Sequence, residues 1–121
     1  MAKRRKKQAS GVPSERLKKC ISTGSVEALF PLLRDWPKKE LRALLKDVEA
    51  FYDGYMRVVD GRLREIAKRL EGISEPQLRL LPLATKAFRR DVAFRLLAIC
   101  SEISSVALYY LAKKGQGHAK A

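Results

Sequence analysis

From Pro37 to Leu70 apolar side chains return every three or four positions, at Leu41, Leu45, Val48, Tyr52, Tyr55, Val59, Leu63, Ile66 and Leu70. That spacing predicts one long amphipathic helix. The repeat slips at Arg62, just after Gly61, and Gly54 and Gly61 each weaken a helix interior, so a bend is expected there rather than a second helix. Nine cations and six acids decorate the outer faces, several at helical pairing distance, such as Arg42 and Lys46 against Asp47 and Glu49. Glu71, Gly72 and Ile73 end the helix.

A second long apolar pattern follows. Ser74 and Gln77 form a capping box with Pro76 in the first turn, and Leu78 to Arg90 then reads LRLLPLATKAFRR. On a helix, Leu80, Leu81, Ala84, Ala87 and Phe88 share one face, and Pro82 kinks the segment or splits off its first turn. After Asp91 the apolar stripe changes phase, to Val92, Leu96, Ile99, Cys100, Ile103, Val106, Ala107, Tyr110 and Leu111. A break near Asp91 is the expected resolution. Lys113, Lys114 and Gly115 suit a helix C-terminus.

Two shorter helices precede these. One follows Pro13 and Ser14 and places Leu17, Cys20 and Ile21 on one side; Thr23 and Gly24 stop it. Ser25 caps the other, in which Val26, Leu29, Phe30 and Leu33 face inward and Pro31 divides or bends the helix. Asp35 and Trp36 mark the next start, with Pro37 in a first helical turn. No strand pattern or internal repeat accompanies them. The expected fold is all-α, a compact bundle of about five helices, two of them long. Residues 13–114 form the single domain, between a disordered basic tail at 1–12 and a flexible tail at 115–121.

Charge changes the picture from a bundle to a bundle with an anionic partner. Lys and Arg number 26 against 13 acidic residues, a formal net charge of +13. Cations gain affinity for a phosphate backbone by releasing its condensed counterions, without reading a base, so nucleic acid is the leading explanation. Lys3, Arg4, Arg5, Lys6 and Lys7 read as a nonspecific phosphate tether. The segment from Leu78 to Arg90 holds four cations and no acid: Arg79, Lys86 and Arg90 line the face opposite the apolar stripe, and Arg89 flanks them. Such a row repels itself unless something negative lies along it. At the opening of the Pro37 helix, Lys38, Lys39, Arg42 and Lys46 outnumber Glu40.

Catalytic chemistry is hard to find. The only histidine is His118, in the expected tail, where nothing holds an acid or base in reach of a proton. Cys20 and Cys100 are 80 positions apart without partner cysteines, which makes zinc implausible and suggests reduced, buried thiols. No glycine-rich phosphate loop occurs, and Asp47, Asp53, Asp60 and Glu65 sit among cations as surface pairs would. The expectation is a non-enzyme with no metal and no cofactor. No run of 18 apolar residues and no secretory h-region occur, which argues for the cytoplasm. The absence of Asn, with only three Gln, is a thermophile tendency.

The run PKKELRALLKDVEAFYDGYM, followed after a charged linker by LRLLPLATKAFRR and an apolar helix, resembles the small subunit of type III-A (Csm-type) CRISPR–Cas effector complexes. The resemblance spans about Trp36 to Ile103. The sister small subunit of Cmr-type complexes is the next nearest. A tyrosine usual before the family's terminal Arg is missing here, with Thr85 or Lys86 in its place, and the basic N-terminus lies outside the family pattern. The resemblance implies copies stacked into an inner filament beside other Cas effector subunits, holding crRNA and target RNA by their phosphates while another subunit cuts. It points to Lys39, Arg42 and Lys46 on the first long helix, and to Lys86, Arg89 and Arg90 on the second, beside Arg79. The alternatives are a helical DNA-binding regulator, disfavoured by the mostly apolar Val26–Arg34 segment, and a protein-interaction bundle with a generally basic surface.

Overall fold

The structure, a computed structural model, describes residues 11–120 and the side chains of residues 11–115. It contains α1 (Glu15–Ile21), α2 (Val26–Leu33), α3 (Lys38–Arg69), a short 3-10 turn (Pro76–Leu80) and α4 (Leu81–Lys120). The fold is all-α, with four α-helices among the described residues rather than about five. Lys3 to Lys7, and most of the tail expected at 1–12, lie outside the described residues.

Local signals account for most of the helix boundaries. The Ser14 hydroxyl accepts the Leu17 amide at 3.1 Å and the Ser25 hydroxyl accepts the Ala28 amide at 3.2 Å, each satisfying a free donor of a first turn. Pro37 sits in extended conformation at the N-cap of α3, its carbonyl accepting the Leu41 amide at 3.0 Å. After α3 the chain turns through Gly72 at φ 85°, a conformation that favours glycine. The capping box expected at Ser74 is not formed. Pro76 biases the residue before it away from helical angles, and Glu75, extended at φ −108° and ψ 123°, becomes the N-cap with no side-chain bond. Pro82 falls in the first turn of α4, where its missing amide costs little, and so separates off the 3-10 turn. Pro31, by contrast, is accommodated inside an undivided α2.

α3 and α4 form the backbone of the fold as an antiparallel hairpin. Arg89 meets Asp60 near one end, and the Lys114 ammonium donates to the Arg34 carbonyl at 3.2 Å near the other. The core joins Leu41, Leu44, Val48 and Met56 of α3 to Leu96, Cys100, Ile103, Val106 and Ala107 of α4. Leu17 and Cys20 of α1, with Leu29 and Leu33 of α2, complete it. α1 is clipped to α3 by charge: Arg16 donates to Glu40 at 3.1 Å and to Asp47 at 2.8 Å, and the Ser14 hydroxyl also donates to Asp47, at 2.8 Å. Asp47 is therefore engaged by α1 and not by the Arg42 and Lys46 of its own helix.

α3 is one continuous helix through Gly54 and Gly61, as its spacing predicts. Four further expectations are corrected. Gly54 is buried where the incoming chain crosses: a Cβ on Gly11 would lie 3.1 Å from Tyr55 Cα and 3.4 Å from the Gly54 carbonyl carbon. Gly11 is thus packed on α3 rather than part of a free tail. α4 has no break at Asp91. The change of phase is real, but a continuous helix carries it by leaving much of the first stripe exposed, with Leu80 at 56% and Phe88 at 55%. The stripe on α3 shifts as well, since α1 and α4 approach from neighbouring directions: Leu44 and Met56 are buried, while Tyr55 and Ile66 are 40% and 44% exposed. Finally, the backbone stays helical from Gly115 to Lys120, past the helix end expected at Lys113 to Gly115. Gly115 does not adopt the positive φ that a helix stop of this kind uses.

By length and composition alone, Pro76–Gly115 could cross a membrane, with a mean hydropathy of 1.5 over its most apolar window. One side of that stretch is built into the core beside α3.

Candidate nucleic-acid interface

α1 grips α3 through Glu40 and Asp47. Helical phase places Arg42 and Asp60 roughly 150° around the axis from those two acids, on a flank that α1 leaves open. Lys39, Arg42 and Lys46 follow one another there on successive turns, all exposed, and none makes an ion pair among the described residues. Glu49 and Asp53 interrupt the row, and Arg57, Arg64 and Lys68, also exposed, continue the outer face of α3. The periodicity of α3 already contained these three further cations, but their surplus is plain only once Asp47 and Asp60 are seen to be engaged elsewhere.

The second cluster belongs to the 3-10 turn and the first turns of α4. Arg79, Lys86 and Arg90 are exposed and make no ion pair among the described residues. Arg89 differs. It turns toward α3 and grips Asp60 with two hydrogen bonds, at 2.5 Å and 3.3 Å. The hydrogen bond from Arg89 holds the Asp60 carboxyl below its ordinary pKa, aided by the charges of Arg89 and Arg64, and Asp60 in turn raises Arg89. The structure therefore separates two neighbours that sequence treats alike: Arg90 is available to an outside anion, and Arg89 is a strut of the hairpin.

The two clusters do not merge. Arg89 fixes the level of the second at Asp60, eighteen residues from Arg42 and so about 27 Å farther along α3. The cations expected to share one two-helix surface therefore stand at two levels of the hairpin, and Arg57, Arg64 and Lys68 of α3, rather than Lys39, Arg42 and Lys46, lie nearest the level of the second. Gly11, against Gly54 and Tyr55, brings the N-terminal segment onto α3 between them. The pentad of cations from Lys3 to Lys7 lies outside the described residues.

The cysteines offer little reactivity. Both are buried, and burial pushes the Cys20 thiol up to about 11 and raises Cys100 as well, so neither supplies a thiolate near neutral pH. Among the described residues no group of three His, Cys, Asp or Glu side chains is arranged to hold a metal ion.

What fold and surface define is a small all-α protein with two separated basic patches. No family model, curated protein or solved structure matches the chain.

Proposed function

We propose that the protein is a non-catalytic, RNA-holding small subunit of a type III CRISPR–Cas ribonucleoprotein. In this reading it self-associates along a filament with other Cas subunits and contacts crRNA or target RNA through phosphates, without base specificity. The observation that carries the reading is the exposed, acid-free set Arg79, Lys86 and Arg90 at one end of the hairpin, matched by Lys39, Arg42 and Lys46 toward the other. With the net charge of +13, these cations supply what a phosphate backbone needs. The sequence resemblance supports the particular assignment. Arg89 enters the proposal as a residue that orients α4 against α3.

The test is anisotropy of labelled single-stranded RNAs of unrelated sequence, titrated with the full chain over a salt series. Equal affinities are expected, with log affinity falling linearly against log salt by about 0.7 per phosphate neutralised. Charge reversal at Lys86 and Arg90, or at Arg42 and Lys46, lowers both affinity and slope. Absence of RNA binding at low salt overturns the proposal, as does preference for one duplex DNA sequence. Co-purification of the native protein with a CRISPR RNA and large Cas subunits tests the assembly directly.

A further inference from the structure

α4 is apolar on two sides, and the fold uses only one. Opposite the core stripe of Leu96, Cys100, Ile103 and Ala107 runs a second stripe, roughly 100° wide by helical phase, in open solvent. Leu83 is 69% exposed on it, Phe94 75%, Leu97 49% and Leu108 53%. Soluble monomers seldom leave four large apolar side chains bare along one helix face, here set apart by Arg90, Ser101 and Ser105. Arg90 is the only charged residue within it.

The order of residues along this stripe carries more than its hydrophobicity. Measured outward from the midpoint between Leu97 and Ala98, Phe94 and Ser101 are equidistant, as are Arg90 and Ser105, Ala87 and Leu108, and Leu83 and Ala112. In each of these pairs, and in Leu97 with Ala98 themselves, one side chain is large and the other small. A helix of this kind is complementary to its own antiparallel image. Large residues meet small ones at every level, as close helix packing requires.

Charge fits the same register. Arg95 and Glu102 are exposed, two turns apart on one flank, and an antiparallel copy brings Arg95 of one chain to within about 3 Å along the axis of Glu102 of the other, twice by symmetry. Phe94 of the second copy then faces Ser101 at the mouth of a groove of about 460 Å³, whose apolar wall includes Val26, Phe30 and Tyr109.

We propose that the outer face of α4 is the seam of a two-fold homodimer, closed by a second copy of this chain lying antiparallel across it with Leu97 and Ala98 at the axis. The contact is isologous and ends at two copies, unlike head-to-tail stacking, and it takes Arg90 of the second basic patch into the seam. Arg90 lays its aliphatic stem along the seam and keeps its guanidinium at the rim.

Sedimentation velocity of the full chain, without RNA, over a concentration series up to about 0.2 mM shows a monomer–dimer equilibrium with nothing larger. Phe94→Glu and Leu97→Glu each give a monomer. Because both side chains are exposed in the single chain, helix content and melting of the monomeric variant are retained. Arg95→Glu and Glu102→Arg each weaken the dimer, by about tenfold or more, and the double swap restores it. Ala98→Cys cross-links to its own copy under oxidation, whereas Phe94→Cys, displaced by about 10 Å from its symmetry mate, does not. The proposal is overturned by a protein that stays monomeric throughout, by an open-ended series of oligomers, or by a dimer that Ala98→Cys fails to trap. A monomer that instead binds anionic lipid vesicles through Phe94 and Leu97 overturns it too.

Discussion

Leu41 and Leu44 are fully buried between α1 and α4, and truncating either to Ala removes packing that the rigid hairpin cannot recover. A loss of about 2–5 kcal/mol in urea unfolding is expected for each, against about 0.5 kcal/mol or less for Ile66→Ala on the exposed end of α3. Gly11 offers a sharper test of the close approach to α3. At φ 76° and with Tyr55 Cα 3.1 Å from its Cβ position, Gly11→Ala is strained twice over, and a lowered melting temperature is expected although the residue lies near the end of the chain. Asp60 makes a pH prediction. Its carboxyl is held below the ordinary range by Arg89, so the folded state binds that proton less readily than the unfolded state does. The stabilisation is complete above about pH 4, the unfolded value, and fades as pH falls through the lower folded value. In an NMR titration Arg89→Ala returns Asp60 toward ordinary behaviour; an unchanged Asp60 shows that the pair is not formed in solution.

Individual helices were legible because their signals are local. The three- and four-residue spacing of Leu41, Leu45 and Val48, the serines at 14 and 25, and the proline at 82 each act on the turn they occupy. Where expectations failed, a longer-range contact or a competing local angle intervened. Glu75 displaced Ser74 as cap because Pro76 dictates the backbone before it. α4 stayed continuous through Asp91 because its later stripe alone anchors the helix, which leaves the earlier one free. Arg16 belongs to this scale as well: it ties α1 to α3 through Glu40 and Asp47, at 30% exposure of its own side chain. Arg16→Ala is expected to cost about 1 kcal/mol after allowing for solvent screening, and to speed amide exchange in α1 before the rest of the bundle.

At the level of the molecule, the hairpin sorts the cations into two patches, Lys39, Arg42 and Lys46 in one and Lys86 and Arg90 with Arg57, Arg64 and Lys68 in the other, separated by about 17 Å of α3 between Lys46 and Arg57. That separation has a consequence that one merged site does not share. Short single strands spanning one patch lose affinity to charge reversal at Lys86 and Arg90 or at Arg42 and Lys46, but not to both alike, whereas strands long enough to reach both lose affinity to either. Anisotropy with a length series of RNAs reads this directly, and equal sensitivity of the shortest strand to both variants argues for a single site. The bare face of α4 also belongs to this scale, since its exposure follows from how few helices surround it.

Periodicity, capping residues and composition were enough to specify an all-α chain, its two long helices and its surplus of positive charge, since each is a property of neighbours a few residues apart or of the residue count. The burial of one α4 stripe and the exposure of the other, the withdrawal of Arg89 from the cationic row by Asp60, and the capture of Asp47 by Arg16 rest on contacts between distant parts of the chain. No helical pattern encodes which of two similar faces meets a partner, because burial is decided by the surface that remains once the other helices have packed.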